Sequence, residues 1–188
     1  MTTGRRIIFI LIDLICIAGL FAIDRLTKLM AVERLKGDEA YKLINGVFEF
    51  RYLENRGAAF GMLQDQRMLF IVVGVIFLVV IAAALVVLPA TSKYRALRIC
   101  LVLIAAGAAG NLYDRITLDY VIDFLYFIYI DFPIFNVADI YVTVSAFILV
   151  ILFLFIYKDE DLDLRKANKI KVHSSMVNDK KEDNGKDE

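Results

Sequence analysis

"MLFIVVGVIFLVVIAAALVVLPATS", residues 68–92, runs for twenty-five positions without one charged side chain. An apolar helix needs about 20 residues to cross a hydrocarbon layer of ~30 Å, so this stretch predicts a membrane span. Working outward, three more segments have the same character: about 7–30, interrupted by Asp13 and Asp24, then 96–113 and 134–157. The first is too long, and too charged toward its far end, for a cleavable signal peptide. Composition agrees, with 60% of the 188 residues hydrophobic and a mean hydropathy of +0.65, whereas soluble domains have about 45–50% apolar residues. No internal repeat and no Pro- or Gly-rich linker divides the chain. The expected organisation is a four-helix membrane domain over 1–157 followed by a polar, mixed-charge tail over 158–188.

Several function classes fall away at this stage. The 22 basic and 22 acidic residues balance, which gives no hint of a nucleic-acid partner. Cys16 and Cys100 both lie inside apolar runs and suit neither a disulfide framework nor a CxxC metal site. The single histidine, His173, sits in the polar tail, so neither a multi-histidine metal site nor a histidine base is expected, and no cofactor is implied.

Orientation follows from lysine and arginine in the short flanks. Arg5 and Arg6 precede the first span, and Lys93, Arg95 and Arg98 surround the link between the second and third. The link between the third and fourth is acidic, with Asp114, Asp119, Asp123 and Asp131 against Arg115 alone. Both termini and the tail are therefore expected in the cytoplasm, with two extracytoplasmic loops. The longer loop contains "YKLINGVFEFRYLEN", 41–55, in which Asn45-Gly46 is a hairpin signal followed by alternation of Phe48, Phe50 and Tyr52 against Glu49, Arg51 and Glu54. A small extracytoplasmic sheet is expected there, its apolar side toward acyl chains or a lipidated ligand. An interfacial aromatic belt is the plainer alternative.

Polar residues gather on the expected outer face. "GNLYDRITLDYVIDF", 110–124, ends the third span with Asn111, Asp114 and Arg115 and leads to Asp123. "FNVADI", 135–140, opens the fourth span with Asn136 and Asp139, and Asp24 and Lys28 stand four apart near the end of the first. Ionisable residues within membrane spans are expensive and mark function by default. Each has a structural alternative: Asp24 with Lys28 as an ion pair, Asn111 and Asp114 as helix caps or ties, Arg115 snorkelling to headgroups, Asp139 as a first-turn carboxylate, Asp123 as a loop acid. Read together, two aspartates with amides and an arginine suit hydrolysis by a carboxylate pair that shares a proton. The ionised member takes a proton from water while its protonated partner polarises a scissile carbonyl, without metal or covalent intermediate. Alternatives are a proton or cation transporter, a structural membrane subunit, and a serine–lysine peptidase using Ser145 and Lys28. Against the last, Ser145 lies about 9 Å along the helix from Asp139 at 1.5 Å per residue, deeper than the lysine's level.

Five blocks in order, "DRLTK" (24–28), "NRGAAFG" (55–61), "GNLYDR" (110–115), "VIDF" (121–124) and "FNVAD" (135–139), resemble the bacterial lipoprotein signal peptidases, or type II signal peptidases. The resemblance covers residues 7 to 157 and implies a mainly α fold, a four-transmembrane-helix bundle with a small extracytoplasmic β-sheet, in the bacterial cell membrane. It implies Asp123 and Asp139 as catalytic dyad. Asn55, Asn111, Arg115 and Asn136 fall on positions that orient substrate and support the aspartates, while Asp24, Lys28 and Asp114 fall on structural ones. The implied reaction is cleavage of prolipoproteins before a diacylglyceryl-modified cysteine, with membrane lipids as surroundings and the cyclic peptide globomycin as inhibitor. Two positions depart from the pattern: Arg25 where glutamine is common, and Asp119 where glycine is usual, a third carboxylate able to raise the dyad's pKa or loosen its turn. Asp13 lies outside every block and is expected to be reached by cytoplasmic water or bonded to another helix.

Overall fold

The computed structural model describes residues 3–57, 65–89 and 91–157. Residues 58–61 of the second block and the tail expected over 158–188 lie outside them. Four long helices alternate with a small sheet: α1 (Thr3–Leu35), β1 (Tyr41–Ile44), β2 (Phe48–Asn55), α2 (Arg67–Val87), α3 (Arg95–Thr117), β3 (Val121–Tyr126) and α4 (Val137–Ile151). A π-helical turn, Leu152–Ile156, continues α4. All four helices are long and apolar enough to cross a membrane. The chain divides into two compact units, Met1–Ile148 and Leu149–Glu188, and every residue of the candidate site lies in the first.

Helix α3 is innermost. Half of its apolar window is buried, against 11% for each of the other three spans. The reason is the run Ala105-Ala106-Gly107-Ala108-Ala109-Gly110, small residues that let helix backbones approach where lipid supplies no hydrophobic force between helices. A Cβ on Gly107 would stand 2.5 Å from the Ala138 carbonyl oxygen, and one on Gly110 would collide with the Asp24 carboxylate. Outward faces are aliphatic, as Ile15 on α1 and Val79 on α2 show, and the backbone polar groups are satisfied within each helix.

Polar ties secure the opposite end of the bundle from the sheet. Arg6 Nε donates to the Val86 carbonyl at 3.0 Å, joining the start of α1 to the end of α2. Asp13 is buried and paired with Arg98 of α3, whose Nε lies 2.9 Å from Asp13 Oδ1 while Nη2 bonds the other oxygen. Of the two expectations for Asp13, bonding to another helix is the observed one. Arg98 is accordingly a buried, neutralised member of α3 rather than a charge in the link.

The hairpin forms as expected, with Gly46 at φ +71° in the turn between β1 and β2. A third strand completes an antiparallel sheet of order β1-β2-β3. Asp123, expected in a loop, stands on β3, with Leu53 its register partner across β2. Strand β3 is buried from Val121 to Leu125, so the short apolar run "VIDFL" behaves as a buried strand, which periodicity cannot distinguish from loop or helix end. Phe135 then pairs with Leu125 through two backbone hydrogen bonds of 2.8 and 3.0 Å. That bridge folds the chain back so that Asn136 arrives beside Asp123.

Candidate active site

The start of α4 is built by its first residues and by α1. Asn136 is the N-cap: its Oδ1 accepts the Asp139 N–H at 3.0 Å, and Asp139 Oδ2 accepts the Asn136 N–H at 3.0 Å. This reciprocal pair is a capping box with Asn and Asp in place of Ser and Glu. The Ala138 N–H, another donor without a helical partner, donates to Asp24 Oδ1 at 3.0 Å. Local sequence thus starts the helix while a residue 114 positions away fixes where it starts.

Four amide donors hold the two carboxylates. Asp123 accepts from Asn136 Nδ2 at 2.7 Å and from Asn55 Nδ2 at 2.8 Å, one bond on each oxygen. Asp139 accepts from Asn111 Nδ2 at 2.7 Å and from the Asn136 backbone. Asn136 therefore bridges the aspartates, by its side chain to one and its main chain to the other, and its second amide proton goes to Asn111 Oδ1 at 3.0 Å. Asp123 is 1% exposed. Its carboxyl is pushed from 3.8 up to about 7, first by burial and then by the charge of Asp139, against the bonds from Asn55 and Asn136 and the charge of Lys28.

Behind the amides lies a closed charge cluster. Lys28, fully buried, places Nζ 3.0 Å from Asp24 Oδ2 and 2.8 Å from Asp114 Oδ2, and donates to Asn111 Oδ1 at 2.9 Å. Asp114 Oδ1 pairs with Arg25, and its Oδ2 accepts the Ile122 N–H at 3.3 Å. Two acids and two bases balance, so the cluster is neutral, although Asp24 Oδ2 has the Lys28 charge beside it and no hydrogen bond among the described residues. Arg25, the departure from glutamine, supplies the second cation and lies 4.6 Å over the Tyr113 ring. Lys28 is thus committed to other partners, and Ser145 Oγ is buried with no hydrogen-bond partner among the described residues; no serine–lysine pair forms.

Arg115 bonds neither aspartate. It donates to the carbonyls of Asn111 (3.3 Å) and Gly57 (3.2 Å) and stacks 4.6 Å over Phe70, tying the "NRG" segment to α3. Asp119 turns away: 55% exposed, it pairs with Arg67 at 2.5 Å, and Arg67 also bonds the Arg115 and Ile116 carbonyls that end α3, both at 2.8 Å. Its φ of +72° explains why glycine suits this position, which follows the C-cap Leu118 in the left-handed conformation common there.

Asp123, Asp139, Asn55, Asn111 and Arg115 all line one cavity of ≈ 510 Å³. Its apolar walls, Val121, Phe132, Ile134, Ile140 and Val144, were not legible as site residues, because nothing separates them from other members of apolar runs. Among the described residues no three His, Cys, Asp or Glu side chains come together so as to hold a metal ion.

A four-span protein with an amide-held aspartate pair, Asp123 buried and Asp139 half-buried, open to an apolar cavity has the design of a membrane-embedded hydrolase. The model of the signal peptidase (SPase) II family matches residues 16–155. The chain is 42% identical over 147 residues to the lipoprotein signal peptidase of Clostridium tetani (strain Massachusetts / E88), which covers 77% of this chain and 91% of that protein. It is 41% identical over 143 residues to the lipoprotein signal peptidase of Caldanaerobacter subterraneus subsp. tengcongensis, covering 76% and 95%. Two bacterial membrane enzyme structures obtained by the in meso method, at 2.3 and 1.9 Å resolution, superpose with TM-scores of 0.69 and 0.68 at 25% and 26% identity. They cover 78% and 79% of this chain and 89% and 96% of their own. The chain belongs to the signal peptidase II family and is a multi-pass membrane peptidase.

Proposed function

We propose that this peptidase removes signal peptides from prolipoproteins by cutting before a diacylglyceryl-modified cysteine, with Asp123 and Asp139 as its catalytic dyad. The observation that carries the reading is the double use of Asn136, which holds both carboxylates at the wall of one cavity. Asp123, with its carboxyl near 7, holds the shared proton and donates it toward the scissile carbonyl. Asp139, fed by two N–H donors at the first turn of α4, carries the negative charge and takes a proton from the attacking water. The new C–O bond gives a tetrahedral intermediate. The C–N bond then breaks as the proton held by Asp139 passes to the leaving nitrogen and one hydroxyl proton returns to Asp123, so that a carboxyl and an amine are released and the dyad is restored.

Asn55, Asn111 and Asn136 keep the dyad oriented, and Arg115, through Gly57, keeps the "NRG" segment at the cavity edge. Asp24, Lys28 and Asp114 are structural: they neutralise one another and seat the start of α4. The positive flanks support cytoplasmic termini and an extracytoplasmic site in a bacterial cell membrane; Arg98 leaves that tally because Asp13 neutralises it, while Arg5, Arg6, Lys93 and Arg95 remain. Residues 1–157 then form one membrane domain with a cytoplasmic tail, and globomycin inhibits.

The test is cleavage of a synthetic diacylglyceryl-cysteine lipopeptide by purified protein in detergent, beside Asp123→Asn and Asp139→Asn. Cleavage before the lipidated cysteine, lost in both variants and blocked by globomycin, is expected. Near-full turnover by either variant would refute the dyad.

A further inference from the structure

A second cavity, of ≈ 790 Å³, is larger than the one holding the aspartates and takes no part in the chemistry above. It lies between the last turns of α1 and the other side of the sheet, backed by Ala31, Phe124, Leu125 and Val137. Along β3, Val121 and Asp123 line the first cavity, whereas Phe124 and Leu125 line the second. Its volume falls within the range of about 300–1,000 Å³ typical of sites for small ligands.

Position and charge say what covers it. The membrane-capable helix α1 ends at Leu35, and its apolar run gives way to Glu33 and Arg34 after Val32, so the groove opens at the edge of the bilayer, with Met30 (48% exposed) and Tyr41 (61% exposed) on its open side. Arg34, one turn beyond Met30, and Glu39 stand at the same groove, and among the described residues neither forms an ion pair. The neighbouring Lys36 is already engaged, 3.0 Å from Glu54. An apolar trough at a membrane edge, rimmed by one cation and one anion, complements an acyl chain attached to a head with one phosphate and one ammonium.

We propose that this groove is a binding site for a bilayer glycerophospholipid of the phosphatidylethanolamine class. The acyl chain lies along Ala31, Phe50, Phe124 and Leu125, the phosphate meets Arg34, and the amine donates to Glu39. A thioether-linked diacylglyceryl group is uncharged and would leave both rim charges unanswered, so the occupant is a lipid of the membrane rather than the acylated end of a substrate.

The chain contains no tryptophan, so a single introduced indole reports locally. The experiment uses the full chain as Tyr41→Trp, reconstituted in phosphatidylcholine bilayers with a small fraction of acyl-brominated phosphatidylethanolamine, phosphatidylglycerol or diacylglycerol. Val79→Trp on the outward face of α2 serves as the reference for bulk lipid; Tyr41 and Val79 are 61% and 63% exposed, and an indole at 41 keeps an aromatic ring against Phe50, on which Tyr41 stacks at 6.3 Å. Brominated phosphatidylethanolamine should half-quench the Tyr41→Trp indole at a mole fraction roughly fivefold below that needed for Val79→Trp. Adding Arg34→Gln should abolish that advantage, and Glu39→Gln should abolish the preference over phosphatidylglycerol. Equal quenching of the two indoles would overturn the site. Diacylglycerol as effective as phosphatidylethanolamine would overturn the phosphate contact, and phosphatidylglycerol as effective would overturn the amine contact.

Discussion

Replacing Asn136 by alanine removes a fully buried side chain that makes three hydrogen bonds. Loss of the N-cap acceptor costs about 1 kcal/mol. Leaving a buried carboxylate oxygen of Asp123 without its donor costs about 1.5–3 kcal/mol. The sum is about 2.5–4 kcal/mol of stability, enough to lower the melting temperature of the detergent-solubilised protein markedly. The kinetic consequence has a definite sign. The Asn136 bond favours the ionised form of Asp123 and holds its carboxyl down toward about 7. Without it the proton is retained to higher pH, and a lost bond of about 1.4 kcal/mol is equivalent to one pH unit. The alkaline limb of kcat/KM for lipopeptide cleavage should therefore move upward by about one pH unit while the maximum falls. A folded Asn136→Ala protein whose alkaline limb stays in place, or moves down, would refute both the donor role of Asn136 and the assignment of Asp123 as proton holder.

Other expectations follow from the same contacts. Because the folded-state carboxyl of Asp123 lies above its ordinary value, its contribution to stability is fully present below about pH 4 and is lost as pH rises through about 7; Asp123→Asn should flatten the thermal stability profile across that window. Gly107→Ala pushes a methyl against the Ala138 backbone, so α4 must shift and lipopeptide turnover should fall at least tenfold, with a smaller change in melting temperature. Arg98→Ala strands the buried Asp13 carboxylate and should cost about 3–5 kcal/mol, whereas Asp13→Leu with Arg98→Met should come within about 1 kcal/mol of the native protein, both read by thermal unfolding in detergent. Asp119→Gly relieves a left-handed residue by about 1 kcal/mol while losing an exposed pair worth no more than that, so stability should change little and the pH–rate profile should not move at all.

Much of this design is written locally. Four spans are legible because length and hydrophobicity are properties of a continuous segment, and the Asn45-Gly46 turn because a left-handed glycine is a local requirement. Asn136 and Asp139 are legible as a pair at a helix start, because capping geometry spans three residues. What the sequence left open depends on partners far along the chain. Asp123 became a strand residue because β2, 68 positions away at Asn55, offers an edge to pair with. Asp13 found Arg98 across 85 positions, and Arg25 found Asp114 across 89; charge complementarity without proximity in sequence names no partner. The lipid-sized groove needed the end of α1 and the reverse side of the sheet to meet. Hydrophobic patterning and turn chemistry act over a few residues and are fixed before folding, whereas burial, pairing and a raised carboxyl exist only once distant segments exclude the same water.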